Sequence, residues 1–210
     1  MSALEKLKNG VRRFRREVYP AEARQFQRIE TEPQRPHTLF IACADSRVDP
    51  AAITQAGPGE IFVMRNIGNI VPGFGEMLGG VSAVVEFAVQ GLKVQHVAIC
   101  GHSDCGAMKA LLHPQSTESM PTVSTWLTNA KAALAVSQGL HTRSEWRRDL
   151  LGLLTEQNVL LQMQHLKTHP SVASAIALGE LTVSGWVYDI GRGEVRIAEG
   201  SDQNFTPVDL

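Results

Sequence analysis

The chain has 210 residues, a length that suits one large domain better than two small ones and lets a core form without disulfide staples. Its 20 Lys and Arg against 21 Asp and Glu leave a formal charge of -1, which removes the basic footprint of a nucleic-acid binder. With 43% apolar and 20% charged residues, the composition excludes a disordered or collagen-like chain and describes a globular protein.

Residues 1–20 place Leu4, Leu7, Val11, Phe14 and Val18 at three- and four-residue steps, one stripe of an amphipathic helix. The Lys and Arg between them exclude the uncharged core of a secretory signal, and Glu5, Glu17 and Glu22 argue against a transit peptide, so a cytoplasmic protein is expected. Such a stripe packs on its own domain or on a second subunit. Pro33 and Pro36 mark a connection that closes a helical arm over residues 1–32. No apolar run reaches the roughly 18 residues of a membrane span, because the best candidate, 83–89, is interrupted by Glu86.

Residues 38–42, 61–64 and 94–100 read as short buried strands. Between the last two, residues 79–92 open on two glycines and set Val81, Val84, Val85, Ala88 and Val89 along one helical face. Strand and helix alternate, which predicts a parallel α/β sheet. Residues 123–137 and 144–167 are predicted helices, the second starting at a Ser-x-x-Arg that is not a capping box. Residues 182–190 and 194–198 are predicted strands joined by the hairpin loop Gly191-Arg192-Gly193. The expected architecture is α/β: a mostly parallel central sheet flanked by helices, with an N-terminal amphipathic helix and a C-terminal hairpin, all one domain over 1–210.

Chemistry gathers at the strand ends. Cys43 follows the first strand in Cys43-Ala44-Asp45-Ser46-Arg47, and His102 and Cys105 follow the third in Gly101-His102-Ser103-Asp104-Cys105-Gly106. The carboxyl edge of an open α/β sheet is where ligands bind, so the two loops can offer two thiolates and an imidazole together. Cys2His is a zinc set with one position left open. Ordinary buried cysteines are the plainer alternative. Cys100, inside an apolar strand, is read as core. Thiol redox or phosphatase chemistry lacks its motifs, since there is no Cys-x-x-Cys and Asp49 stands where the arginine of Cys-x5-Arg would fall. Asp104, near the start of the next helix, is expected to cap it or to favour its dipole.

These residues carry a resemblance. Cys-x-Asp-x-Arg and His-x-x-Cys, with Arg65-Asn66-Ile67-Gly68-Asn69 and Gly185-Trp186-Val187-Tyr188-Asp189, resemble the β-class carbonic anhydrases from the N-terminal helix to about Ala198, most of all the bacterial cyanate-operon and cyanobacterial members. The resemblance implies one zinc per chain on Cys43, His102 and Cys105, with water or hydroxide in the fourth position. It also implies Asp45 and Arg47 as a catalytic dyad, reversible hydration of carbon dioxide to bicarbonate and a proton, and a homodimer or larger homo-oligomer, with neither nucleic acid nor membrane as partner. Two thiolates cancel the charge of zinc, so a carboxylate kept ionised by an arginine has a purpose that a non-catalytic, zinc-stabilised assembly component would lack. Hydrolysis of carbon disulfide or carbonyl sulfide would use the same site. Gln34, Phe62, Ile67 and Phe87 fall where plant-type members line the substrate pocket, partly from the adjoining subunit, and Phe87 replaces a tyrosine common there. In some members the Asp turns onto zinc, a state stabilised by bicarbonate on a Trp, Arg and Tyr trio. Here Arg65 and Tyr188 fit but Phe40 stands in for the Trp and lacks its N–H, so Asp45 is expected to pair with Arg47 instead.

Overall fold

A computed structural model of the chain describes residues 1–76, 79–143, 149–200 and 203–208. They divide into two units, Met1–Arg35 and Pro36–Leu210. In the first, Ser2 caps Ala3–Arg13 (α1) by accepting from the Glu5 N–H at 3.2 Å, and a π-helical segment, Phe14–Val18, leads into Tyr19–Thr31 (α2). Phe14, Tyr19 and Phe26 form a small ring cluster, with centroids 5.5 to 6.2 Å apart. The rest of the stripe is uncovered, and Leu7 is 70% exposed.

The second unit is built on a six-stranded sheet. Its strands are β1 (Thr38–Cys43), β2 (Ile61–Asn66), β3 (His96–His102), β4 (Thr182–Asp189), β5 (Glu194–Glu199) and β6 (Thr206–Pro207), in the order β2-β1-β3-β4-β5-β6. The first four run parallel, as the alternating strands predict; β5 pairs antiparallel with β4, as the C-terminal hairpin predicts, and the short β6, which the sequence reading does not include, pairs antiparallel with β5. β1 and β3 extend further than the apolar runs suggest: Cys43 and His102 are their last residues rather than the first of the loops.

The helices are α3 (Pro50–Thr54), α4 (Gly80–Glu86), α5 (Gly106–Leu112), α6 (Pro121–Leu127), α7 (Lys131–Arg143), α8 (Leu150–Lys167) and α9 (Pro170–Ala177). α4 continues as a π-helical turn, Phe87–Gly91, which together cover the helix expected over 79–92. The helix expected over 123–137 is instead α6 and α7 joined by a 3-10 turn, Thr128–Ala130, because Pro121 fixes an earlier start. α8 is capped by Asp149, whose carboxylate accepts from the N–H groups of Leu151 and Gly152 at 3.2 and 3.1 Å, while the Ser-x-x-Arg start falls outside the described residues. None of the described helices is long and apolar enough to cross a membrane.

Odd-numbered side chains of β1, β3 and β4, among them Ile41, Ile99 and Val187, pack under Val159, Leu160, Met163 and Leu166 of α8. The other face packs Phe40, Ala42, Ala98 and Cys100 with Trp186 and Tyr188. Two strand glycines set how closely α8 lies on the sheet. A Cβ at Gly185 would stand 2.7 Å from Met163 Sδ and from Val159 Cγ1, and one at Gly101 would stand 2.8 Å from Val159 Cγ2. Gly185→Ala is therefore expected to overpack this contact and cost about 1–3 kcal/mol, read as a lower urea midpoint with little change in slope.

Candidate metal centre

Two strand-end side chains meet a third from the turn that follows. Cys43 closes β1, His102 closes β3, and Cys105 stands one residue before α5, all three buried. Two sulfurs and one ring nitrogen lie within 4.8 Å of one another, the one group of three metal-ligating side chains among the described residues. β1 and β3 are parallel neighbours, so their ends leave the sheet side by side.

The donor chemistry fits a divalent, thiolate-preferring metal. The Cys43 thiol is drawn well below its ordinary value, first by a hydrogen bond from Cys105, against the burial that opposes ionisation; Cys105 is pushed up by the same partnership. Two buried sulfurs this close share one proton, and a cation is what allows both to be thiolates. On His102, Nδ1–H donates to the Ser103 carbonyl at 2.8 Å, which leaves Nε2 as the lone-pair nitrogen. That Nε2 is buried with no hydrogen-bond partner among the described residues, as a metal-facing nitrogen requires. Cys100 stands apart in the core, its thiol pushed up to about 12 by burial.

Asp45 and Arg47 stand at the edge of this cluster. Arg47 Nε–H and Nη2 donate to Asp45 Oδ1 and Oδ2 at 2.9 and 2.8 Å, and Asp45 Oδ2 is 3.9 Å from His102 Nε2. These bonds hold the Asp45 carboxyl well below the usual carboxylate range. Arg65 braces the loop from β2, donating to the carbonyls of Cys43 and Asp45 at 3.0 and 2.6 Å. Asp104 does not cap α5: it binds the far side of Arg47 at 2.9 Å and pairs with Lys109.

Beside the sulfurs runs the turn Ile67–Asn69, where Gly68 has φ +78° and its backbone helps hold the Cys43 thiolate. A Cβ there would stand 3.0 Å from that of Ala107. Trp126 Nε1–H donates to the Ile67 carbonyl at 2.8 Å, and Asn158, braced by Gln162, donates to that of Gly68 at 3.1 Å. Sequence reasoning missed this support, although Asn158 and Gln162 form an i,i+4 polar pair inside an apolar helix. Of the expected pocket residues, Phe62 and Phe87 form a ring pair 6.0 Å apart, Ile67 is 43% exposed beside Gly68, and exposed Gln34 belongs to the first unit. A surface cavity of about 860 Å³ involving His96 and Trp186 contains none of the three ligands.

The carbonic anhydrase family model matches residues 38–195. A carbonic anhydrase of Pseudomonas aeruginosa is 47% identical over 200 residues, covering 95% of this chain and 90% of its own. Among solved structures, the β-carbonic anhydrase CcaA superposes with a TM-score of 0.93 at 36% identity, over 100% of this chain and 94% of that one. The chain belongs to the β-class carbonic anhydrases. A β-carbonic anhydrase of Sordaria macrospora, described as tetrameric, is similar at TM-score 0.71 and 30% identity, covering 95% of this chain and 94% of its own. In this β-class carbonic anhydrase, Cys43→Ser and Cys105→Ser are expected to lose bound zinc, whereas Cys100→Ser keeps it. Elemental analysis of the purified variants checks this; full zinc in Cys105→Ser would overturn the assignment.

Proposed function

We propose that this carbonate dehydratase hydrates carbon dioxide reversibly to bicarbonate and a proton on one zinc ion per chain, held by Cys43, His102 and Cys105, with Asp45 and Arg47 as its catalytic dyad. Bound zinc supplies Lewis acidity, which makes water a usable nucleophile near neutral pH. The observation that carries the reading is the place of Asp45: both carboxylate oxygens are held by Arg47, and one lies 3.9 Å from His102 Nε2.

Asp45 accepts a hydrogen bond from the attacking oxygen and turns its lone pair towards the carbon of carbon dioxide. A carboxylate can only accept while ionised, and Arg47 keeps it so in mild acid. Phe62, Ile67 and Phe87 supply apolar wall, against which a small apolar substrate loses little on leaving water. With phenylalanine at 87 there is no hydroxyl at this point of the wall. The three unpaired cysteines suit the reducing cytoplasm.

Asp45→Asn is expected to keep zinc and lose most turnover, because an amide carries no charge and can present a donor where an acceptor is needed. Arg47→Ala should lose turnover too, and the double variant should be little slower than the worse single, since the pair acts as a unit. Stopped-flow carbon dioxide hydration measures all three, and cleanly multiplicative losses would falsify the dyad.

The exposed stripe of the N-terminal arm supports an assembly of copies. Leu4, Leu7 and Val11, each more than half exposed, are covered by a second copy of the chain in a homodimer or larger homo-oligomer. Removing residues 1–20 is expected to lower the molar mass seen by light scattering. A full-length chain that is monomeric at micromolar concentration would count against this assembly.

A further inference from the structure

Asp104 stands in a left-handed turn. Its φ is +58°, a region that Asp and Asn adopt more readily than other non-glycine residues. Helix capping does not explain the position, because Cys105 stands at the N-cap of α5 and no side chain caps that end. What the turn achieves is a grip on Arg47. Nη1 of Arg47 donates to Asp104 Oδ2 at 2.9 Å, and Nη2 donates to the Asp104 carbonyl oxygen at 3.3 Å. Asp45 holds the other edge of the same guanidinium, through Nε and Nη2.

Two grips do what one does not. A guanidinium bound along a single edge still rocks about that edge, and with Arg47's side chain 45% exposed, water competes for every bond it makes. Carboxylates on both edges, one from the loop after β1 and one from the loop after β3, fix the plane of the fork. The second carboxylate brings a second negative charge, and Lys109 on α5 answers it by pairing with Asp104 Oδ1. Asp45, Arg47, Asp104 and Lys109 thus form a row of alternating charge that sums to zero.

We propose that Asp104, with Lys109 as its counter-charge, is a positioning residue that locks Arg47 and through it aims the Asp45 carboxylate. The proposal rests on the dyad reading above and adds to it the group that holds the dyad still. Asp104 makes no contact with substrate in this role.

The test uses the full-length, zinc-loaded protein and the variant Asp104→Asn. Asparagine tolerates the left-handed backbone, so the substitution removes the charge while leaving the turn. Zinc content and Tm should stay at the wild-type level, while kcat falls roughly three- to tenfold with little change in KM, as for loss of one charge-assisted bond. The Nε–H resonance of Arg47, assigned by its absence in Arg47→Ala, should be sharp in the wild type and broadened in Asp104→Asn. In an Arg47→Ala background the substitution should cost nothing further. Wild-type kcat with an unchanged Arg47 resonance, or an equal loss with and without Arg47, overturns the proposal. Arg47→Ala with full turnover would instead sink the dyad reading itself. Should Asp104→Asn lose the metal, Lys109→Met replaces it: broadening of the Arg47 resonance supports the lock, and a sharp resonance refutes it.

Discussion

Because β1 and β3 are parallel neighbours, Cys43 and His102 reach the same edge of the sheet at the ends of adjacent strands, and every other feature of the site follows from that placement. The turn after β3 brings Cys105 back beside them at the start of α5, with the left-handed Asp104 as its pivot. An imidazole and two thiolates in one buried space are electrostatically unbalanced without a cation. The fold therefore stores an arrangement whose stability is completed by metal binding.

The packing that makes this edge rigid comes from α8. It lies close on the sheet because Gly101 and Gly185 present no Cβ to Val159 and Met163, and Gly101 is the residue immediately before His102. The same helix turns Asn158 and Gln162 towards the turn after β2. Gln162 Oε1 accepts from the Val71 N–H at 2.9 Å while Asn158 holds Gly68, so one apolar helix fixes both a ligand-bearing strand and the loop beside the ligands. Buried amides that are fully engaged specify a single loop conformation, which apolar contacts alone would leave more freely adjustable.

Much of this is legible in the chain itself. The strands announce themselves as short buried runs, and the placement of Cys43 and His102 at strand ends, with Cys105 in the turn after, follows from those runs and from the carboxyl-edge rule. The misses have physical reasons. Apolar periodicity cannot see hydrogen-bond register, so the π-helical turn at Phe87–Gly91 and the 3-10 turn at Thr128–Ala130 are absent from the sequence reading. Asp104 reads as a capping residue because its position before a helix fits one, whereas its role depends on Arg47, 57 positions away in the chain. Likewise Trp126 and Ile67 meet only through the folding of α6 over the loop.

The charge balance explains why a functional carboxylate here needs an arginine. Two thiolates already neutralise a divalent ion, so the centre offers Asp45 little net positive charge, while burial opposes its ionisation. Without the arginine that opposing effect would remain, and a protonated Asp45 is a donor where the proposed reaction needs an acceptor. Arg47 reverses that tendency with two direct hydrogen bonds, and the carboxyl stays far below its ordinary range. An arginine does this better than a lysine, since its fork satisfies both oxygens at once and stays charged at any working pH. In the proposed function the ligand set and the dyad are therefore one electrostatic solution: the thiolates would bind the metal tightly and blunt its charge, and the ionised Asp45 would restore the directed acceptor that the chemistry requires.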